Sequence, residues 1–284
     1  LLSGASPASK FFYPPYFILQ VISYGIPALI MRELAVRWKL GLSGIFILGL
    51  GYGIFNEGLL ARTFFLETPS FFPEYAYYGG INFAWASFAA IWHSLHAILY
   101  PIVLAHLLYP KSSKEQWFSN KTTCILLIVS ILESTFLYFG SGNSNISSFI
   151  ILWLAILIFA AISRKFTNPI SEGRPKFSKS AFLLGVVTVP LYLVLIVITK
   201  TSLPFLIYLV ILVAFIRGVW WLIQKKRLNP LPIFSSFIIG DYAANGLWAV
   251  VGRQSMEVIL INIIIISGLW YIIKRQFDST PQLN

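Results

Sequence analysis

Long apolar runs alternate with short stretches that carry Lys and Arg along the whole chain. A helix crosses a bilayer with about 20 mainly apolar residues. Nine runs approach or exceed that length: residues 14–32, 41–62, 82–108, 122–140, 147–163, 181–199, 203–223, 232–252 and 257–273. The third is the longest and contains Pro101, which predicts a kink or a tilt there. No soluble domain, low-complexity tract or long repeat separates the runs. The expected fold is all-α: a polytopic integral membrane helical bundle of about nine transmembrane helices, with residues 1–284 as a single transmembrane domain.

The polar stretches supply an independent check. Arg32, Arg37 and Lys39 follow the first run; Lys111, Lys114 and Lys121 the third; Arg164, Lys165, Arg174, Lys176 and Lys179 the fifth. Lys225, Lys226 and Arg227 follow the seventh, and Lys274 and Arg275 the ninth. The alternate loops hold Lys10, Lys200 and Arg253, with Arg62 at the edge of the second run. The positive-inside rule then puts the C-terminus in the cytoplasm and residue 1 on the outer side. An outer start without a signal peptide implies a further helix upstream of Leu1. Trp38, Trp220, Trp221 and Trp270 fall near the cytoplasmic ends and Trp85 near the outer end of the third run, where amphipathic rings favour the headgroup level. Glu33 and Arg37 are spaced for an i, i+4 pair in a helical extension over Arg32–Lys39. Leu66–Gly80 forms the main external loop, resting at the interface or capping an outward cavity.

Composition agrees. The 284 residues are 57% hydrophobic and 11% charged, against roughly 25% charged in a soluble domain, so the lipid bilayer is the partner for much of this surface. The net charge of +11 is scattered between apolar runs and does not form the single patch a nucleic-acid partner needs. Cys124 is the lone cysteine and lies in an apolar run. It excludes an internal disulfide and reads as a small buried hydrophobe. Asn145-Ile146-Ser147 matches a glycosylation sequon, a short pattern that chance often produces.

Ionisable residues inside the apolar runs carry the functional signal, because charge at that depth is costly. In the second run Gly49, Gly53 and Glu57 recur every four residues. The glycines form a small-xxx-small face for close helix packing. Glu57 then sits at its edge, either paired with Arg62 near the outer interface or held in the bundle as an acid or base. In the third run Asn82, Ala86, Ala89, His93, His96 and Tyr100 recur at helical spacing, so both histidines are expected to address one site. In the eighth, Asp241 and Asn245 form an i, i+4 pair. The fourth adds Glu133 between Ser130 and Ser134 as a second-rank candidate.

A spaced glutamate and arginine, a histidine on the next helix and a polar i, i+4 pair on a late helix together form a pattern. It resembles that of the CAAX-processing and bacteriocin-processing (CPBP) family of glutamic-type intramembrane endopeptidases. The residues are Asn56-Glu57-Gly58-Leu59-Leu60-Ala61-Arg62, Trp92-His93-Ser94-Leu95-His96 and Asp241-Tyr242-Ala243-Ala244-Asn245. They depart from the family's Glu-Glu-x-x-x-Arg, Phe-x-x-x-His and His-x-x-x-Asn motifs: Asn56 replaces a glutamate, Trp92 a phenylalanine and Asp241 a histidine.

The resemblance implies an intramembrane hydrolase acting on a membrane-embedded peptide or lipid-like substrate. Its catalytic residues would be Glu57, His93, His96, Asp241 and Asn245, and no cofactor is needed. Glu57 would activate water, a histidine would orient it and Asn245 would donate to the oxyanion. A metal variant would place zinc on His93, His96 and Glu57. Two other classes remain open: a proton-coupled transporter, and a non-catalytic membrane subunit whose polar residues only join helices.

Overall fold

A computed structural model describes residues 12–65, 77–78, 80–109, 111–140, 142, 145–167, 170, 177–187, 207, 210–214, 217, 231–251 and 256–278. The chain divides into two compact units. One comprises Ile18–Ile170 and Lys200–Tyr208; the other comprises Leu1–Phe17, Ser171–Thr199 and Leu209–Asn284.

Five helices, all within the first unit except for Pro14–Phe17 at the start of α1, are long and apolar enough to cross a bilayer: α1 Pro14–Arg37, α2 Leu42–Leu60, α3 Phe83–Leu108, α4 Asn120–Gly140 and α5 Ile146–Ser163. They match the first five expected spans. Among the described residues the only strands are β1 Tyr77–Tyr78 and β2 Ile81–Asn82, an antiparallel pair before α3. Most of the external loop Leu66–Gly80 lies outside the described residues. Asn82, expected on the polar face of the third span, instead caps α3 by accepting from the Trp85 N–H at 3.0 Å. Asn145 of the sequon caps α5 in the same way, through the Ser147 N–H.

Glycine spacing explains why α2 is the central helix. Gly49 and Gly53 face α3, where an added Cβ would lie 2.8 Å from the Ser94 Cα and 2.5 Å from the Ala90 Cα. Gly44 and Gly51, seven apart, face the backbone of α5 and its C-terminal extension. The small-xxx-small expectation therefore holds, and α2 uses two glycine faces to bring helices close on both sides. Phe55, Leu59, Phe64, Ala89, Tyr138, Leu152 and Ile156 fill the core beside them.

Three of these helices contain a π turn: Val21–Gly25 in α1, Phe55–Leu60 in α2 and Ser94–Leu99 in α3. Two have a sequence cause. Pro27 and Pro101 follow closely after the first and third, and a proline can neither donate to the carbonyl four residues back nor avoid its clash. The expected irregularity at Pro101 thus takes the form of a wider turn just before it.

The basic residues gather at one end. There the helix joint at Gly41 bonds to the Phe166 carbonyl at 3.0 Å. Arg32, Glu33 and Arg37 also bind the stretch between α3 and α4 at that end. Glu33 is fully buried, pairs with Arg32 at 3.2 Å and Arg37 at 2.9 Å, and accepts from the Trp117 N–H at 3.1 Å. Arg32 donates to the Ser113 carbonyl at 2.7 Å and stacks 3.7 Å from the Trp117 ring. The Glu33–Arg37 pair is therefore part of a buried clamp and not a helix-surface contact. Cys124, expected to be buried, is exposed on α4.

In the second unit residues 179–187 and 210–214 are helical, and they are followed by α6 Leu231–Val251 and α7 Met256–Asp278. These helices coincide with the expected eighth and ninth spans. The remainder of the sixth span and most of the seventh lie outside the described residues. Gly185 and Gly240 bring the 179–187 helix against α6: a Cβ on either would meet a backbone oxygen of the other helix, at 2.1 and 2.0 Å.

Candidate functional site

Glu57 lies fifteen residues beyond Leu42 in α2, and His93 fifteen before Leu108 in α3. Counted from the basic end at 1.5 Å per residue, both are roughly 22 Å along their helices. The two residues therefore stand at matching depth, and the close approach of α2 and α3 at Gly53 and Ala90 brings their side chains within reach of each other. His93 Nε2 and Glu57 Oε1 are 2.7 Å apart, and the two side chains are 14% and 13% exposed.

The other carboxylate oxygen is also held. Thr63, in the 3-10 turn just after α2, donates from its hydroxyl to Glu57 Oε2. Thr63 in turn accepts from the Trp85 indole N–H at 2.7 Å. A chain of donors thus runs from Trp85 through Thr63 to Glu57, and fixes the carboxylate that holds His93. With Nε2–H donating to Glu57, the neutral imidazole presents Nδ1 as an acceptor. Among the described residues Nδ1 has no hydrogen-bond partner.

Aromatic groups wall the pair. The Tyr52 ring meets His93 edge-on at 6.0 Å, and the Tyr24 ring lies 6.4 Å away. Tyr24 belongs to the π turn of α1, and Glu57 to that of α2; His93 immediately precedes that of α3. π turns recur at functional sites because they re-aim side chains. The Tyr52 hydroxyl and the Asn56 Oδ1 are both buried and complete no hydrogen bond among the described residues. Unmet polar atoms of this kind call for a specific reason, such as a bound polar group.

Two expectations are corrected. Arg62 does not pair with Glu57: it donates to the Gly142 carbonyl at 2.7 Å and lies 5.0 Å over the Tyr138 ring. Its backbone has φ 56°, a left-handed conformation that ends α2 and turns the side chain toward the α4–α5 connection. His96 does not share the Glu57 contact. It stacks on Trp92 with centroids 3.9 Å apart, meets Tyr100 edge-on at 5.1 Å, and donates from Nδ1 to the Trp92 carbonyl at 3.1 Å. The π turn that begins at Ser94 breaks the 3.6-residue register, so the two histidines serve different neighbours. Among the described residues no three His, Cys, Asp or Glu side chains gather closely enough to hold a metal. Glu57, His93 and His96 therefore do not converge as a zinc set.

Asp241 and Asn245 belong to the second unit. Asp241 is buried, and the Asn245 amide donates to the Asp241 main-chain carbonyl at 3.0 Å. Their i, i+4 relation is thus a side-chain-to-backbone bond along α6. Tyr24, Tyr52 and Thr63 carry no signal of their own in the sequence, and Trp85 was expected there only as an interface aromatic. Pro27 and Pro101 were the available signals for the irregular turns, whereas the Thr63–Trp85 link crosses a loop and left none.

No curated protein and no solved structure matches the chain. A family model described as "Uncharacterized membrane protein family" matches residues 1–277, and the chain belongs to that family.

Proposed function

We propose that this multi-pass membrane protein is an intramembrane hydrolase in which Glu57 and His93 form a catalytic dyad. One observation carries the reading: His93 Nε2 lies 2.7 Å from the Glu57 carboxylate, and an Nε2–H donating there leaves Nδ1 as the base. Nδ1 takes a proton from water as the oxygen attacks an acyl carbon, then returns it to the leaving nitrogen or oxygen. Glu57 orients the imidazole and stabilises the imidazolium. This assigns the base to His93, where the CPBP resemblance implies Glu57. The buried Tyr52 hydroxyl, on a ring that meets His93 edge-on, would donate to the developing oxyanion. Asp241 and Asn245 enter the proposal on sequence grounds. The reaction needs no cofactor, and its substrate is a membrane-embedded peptide or lipid-like acyl compound. The gathering of basic residues at one end of the first unit supports a cytoplasmic face at that end; the cytoplasmic C-terminus and the outer residue 1 enter the proposal on sequence grounds.

The test is turnover of a panel of fluorogenic peptide amides and acyl esters by protein in lipid nanodiscs. His93→Gln and Glu57→Gln are each expected to lower it by about 10²–10⁴-fold while the protein stays folded. Retention of full turnover by both variants rejects the dyad.

A proton-coupled carrier is the second reading, favoured by the three π turns, since interrupted helices mark transport sites. Proton flux in dye-loaded liposomes that Glu57→Gln abolishes, without turnover of any panel member, selects it. A role confined to joining helices requires both assays to be indifferent to Glu57→Gln.

A further inference from the structure

Glu133 occupies a different contact, between α1 and α4. Ser23, in the π turn of α1, donates to Glu133 Oε1 at 2.5 Å. Ser23 lies fourteen residues before Arg37, and Glu133 thirteen beyond Asn120. At 1.5 Å per residue both are roughly 20 Å from the basic end, deep in their spans. Glu133 Oε2 is buried and has no hydrogen-bond partner. Ser130, one turn earlier on α4, is 5% exposed, and its hydroxyl is likewise without a partner. No Lys, Arg or His among the described residues forms an ion pair with Glu133.

A carboxylate at this depth with one neutral donor is strongly unfavourable. What restores neutrality must be small, because the space lies between two packed helices, and must carry one positive charge. Oε2 and the Ser130 hydroxyl offer oxygen lone pairs on one helix face, and the Ser23 hydroxyl offers another from the facing helix. We propose that Ser23, Ser130 and Glu133 form a second intramembrane site that takes a monovalent cation, either a proton or a sodium ion. The site shares no residue with the Glu57–His93 dyad and does not depend on the hydrolase reading.

The experiment uses the full chain in nanodiscs, treated with dicyclohexylcarbodiimide in choline buffer and followed by peptide mass spectrometry. Modification at Glu133 is expected, with Glu133→Gln, which keeps an oxygen for Ser23, as the folded blank. Suppression when sodium replaces choline at fixed pH identifies a sodium ion. Suppression only as pH rises identifies a proton. Ser130→Ala is expected to shift the suppressing sodium or proton concentration by about tenfold, the loss of one hydrogen bond to a charged group. Failure to modify Glu133 in sodium-free buffer at any pH overturns the site, as does modification indifferent to both sodium and pH. Repeating the series on Glu57→Gln separates the two sites: the Glu133 response is expected to persist whether or not the dyad proves catalytic.

Discussion

Glu57 on α2 and His93 on α3 meet at 2.7 Å because they stand at matching depth on two helices that a glycine face brings close together. With the proton on Nε2, that contact leaves Nδ1 as an acceptor.

The pair is expected to behave as one unit. Glu57→Gln, His93→Gln and the double variant should have similar turnover, so that the second substitution costs little once the first is made. Steady-state kinetics in nanodiscs checks this. Independent, multiplicative losses would argue that the two groups act separately.

Gly53→Ala should destabilise the bundle by about 1–3 kcal/mol, since its Cβ would lie 2.5 Å from the Ala90 Cα and 2.8 Å from its carbonyl oxygen. Gly58→Ala meets only the ends of the Leu152 and Phe64 side chains, at 3.2 Å, and should cost less. Thermal unfolding in detergent separates them, and equal losses would contradict the close approach of α2 and α3.

Pro27→Ala restores a backbone donor after the π turn of α1. The helix should become no less stable, while Ser23 and Tyr24 rotate away from Glu133 and His93. The expected signature is an unchanged or raised melting temperature with reduced turnover. A variant with unaltered turnover would show that the π turn does not position the site.

Glu33→Gln leaves the Arg32 and Arg37 guanidinium groups around a neutral amide. A loss of about 3 kcal/mol is expected, because breaking a buried ion pair exposes an uncompensated charge. Denaturant unfolding measures it, and protease cleavage between α3 and α4 should rise in parallel. Wild-type stability would place the clamp in a solvated, weakly coupled setting.

Much of this molecule was legible before any coordinates. Apolar run length placed spans two to five within two residues of the helices and ended the first span five residues short of Arg37, because the thickness of the bilayer dictates how many residues a helix needs to cross it. Glycine spacing in α2 announced a close-packed face, and the cost of charge in lipid pointed to Glu57, His93, Asp241 and Glu133. What the sequence could not decide was which of these groups meet. That depends on helix rotation, and a single π turn alters it: the turn after His93 sends His96 to Trp92 and Tyr100 and leaves His93 to Glu57. Arg62, only five residues beyond Glu57, is carried off by one left-handed residue conformation. Thr63 and Trp85 join the site across a loop, through a hydrogen bond that no periodicity records. Periodicity reads the local environment of each residue, whereas the direction of a side chain between helices is set by tertiary packing.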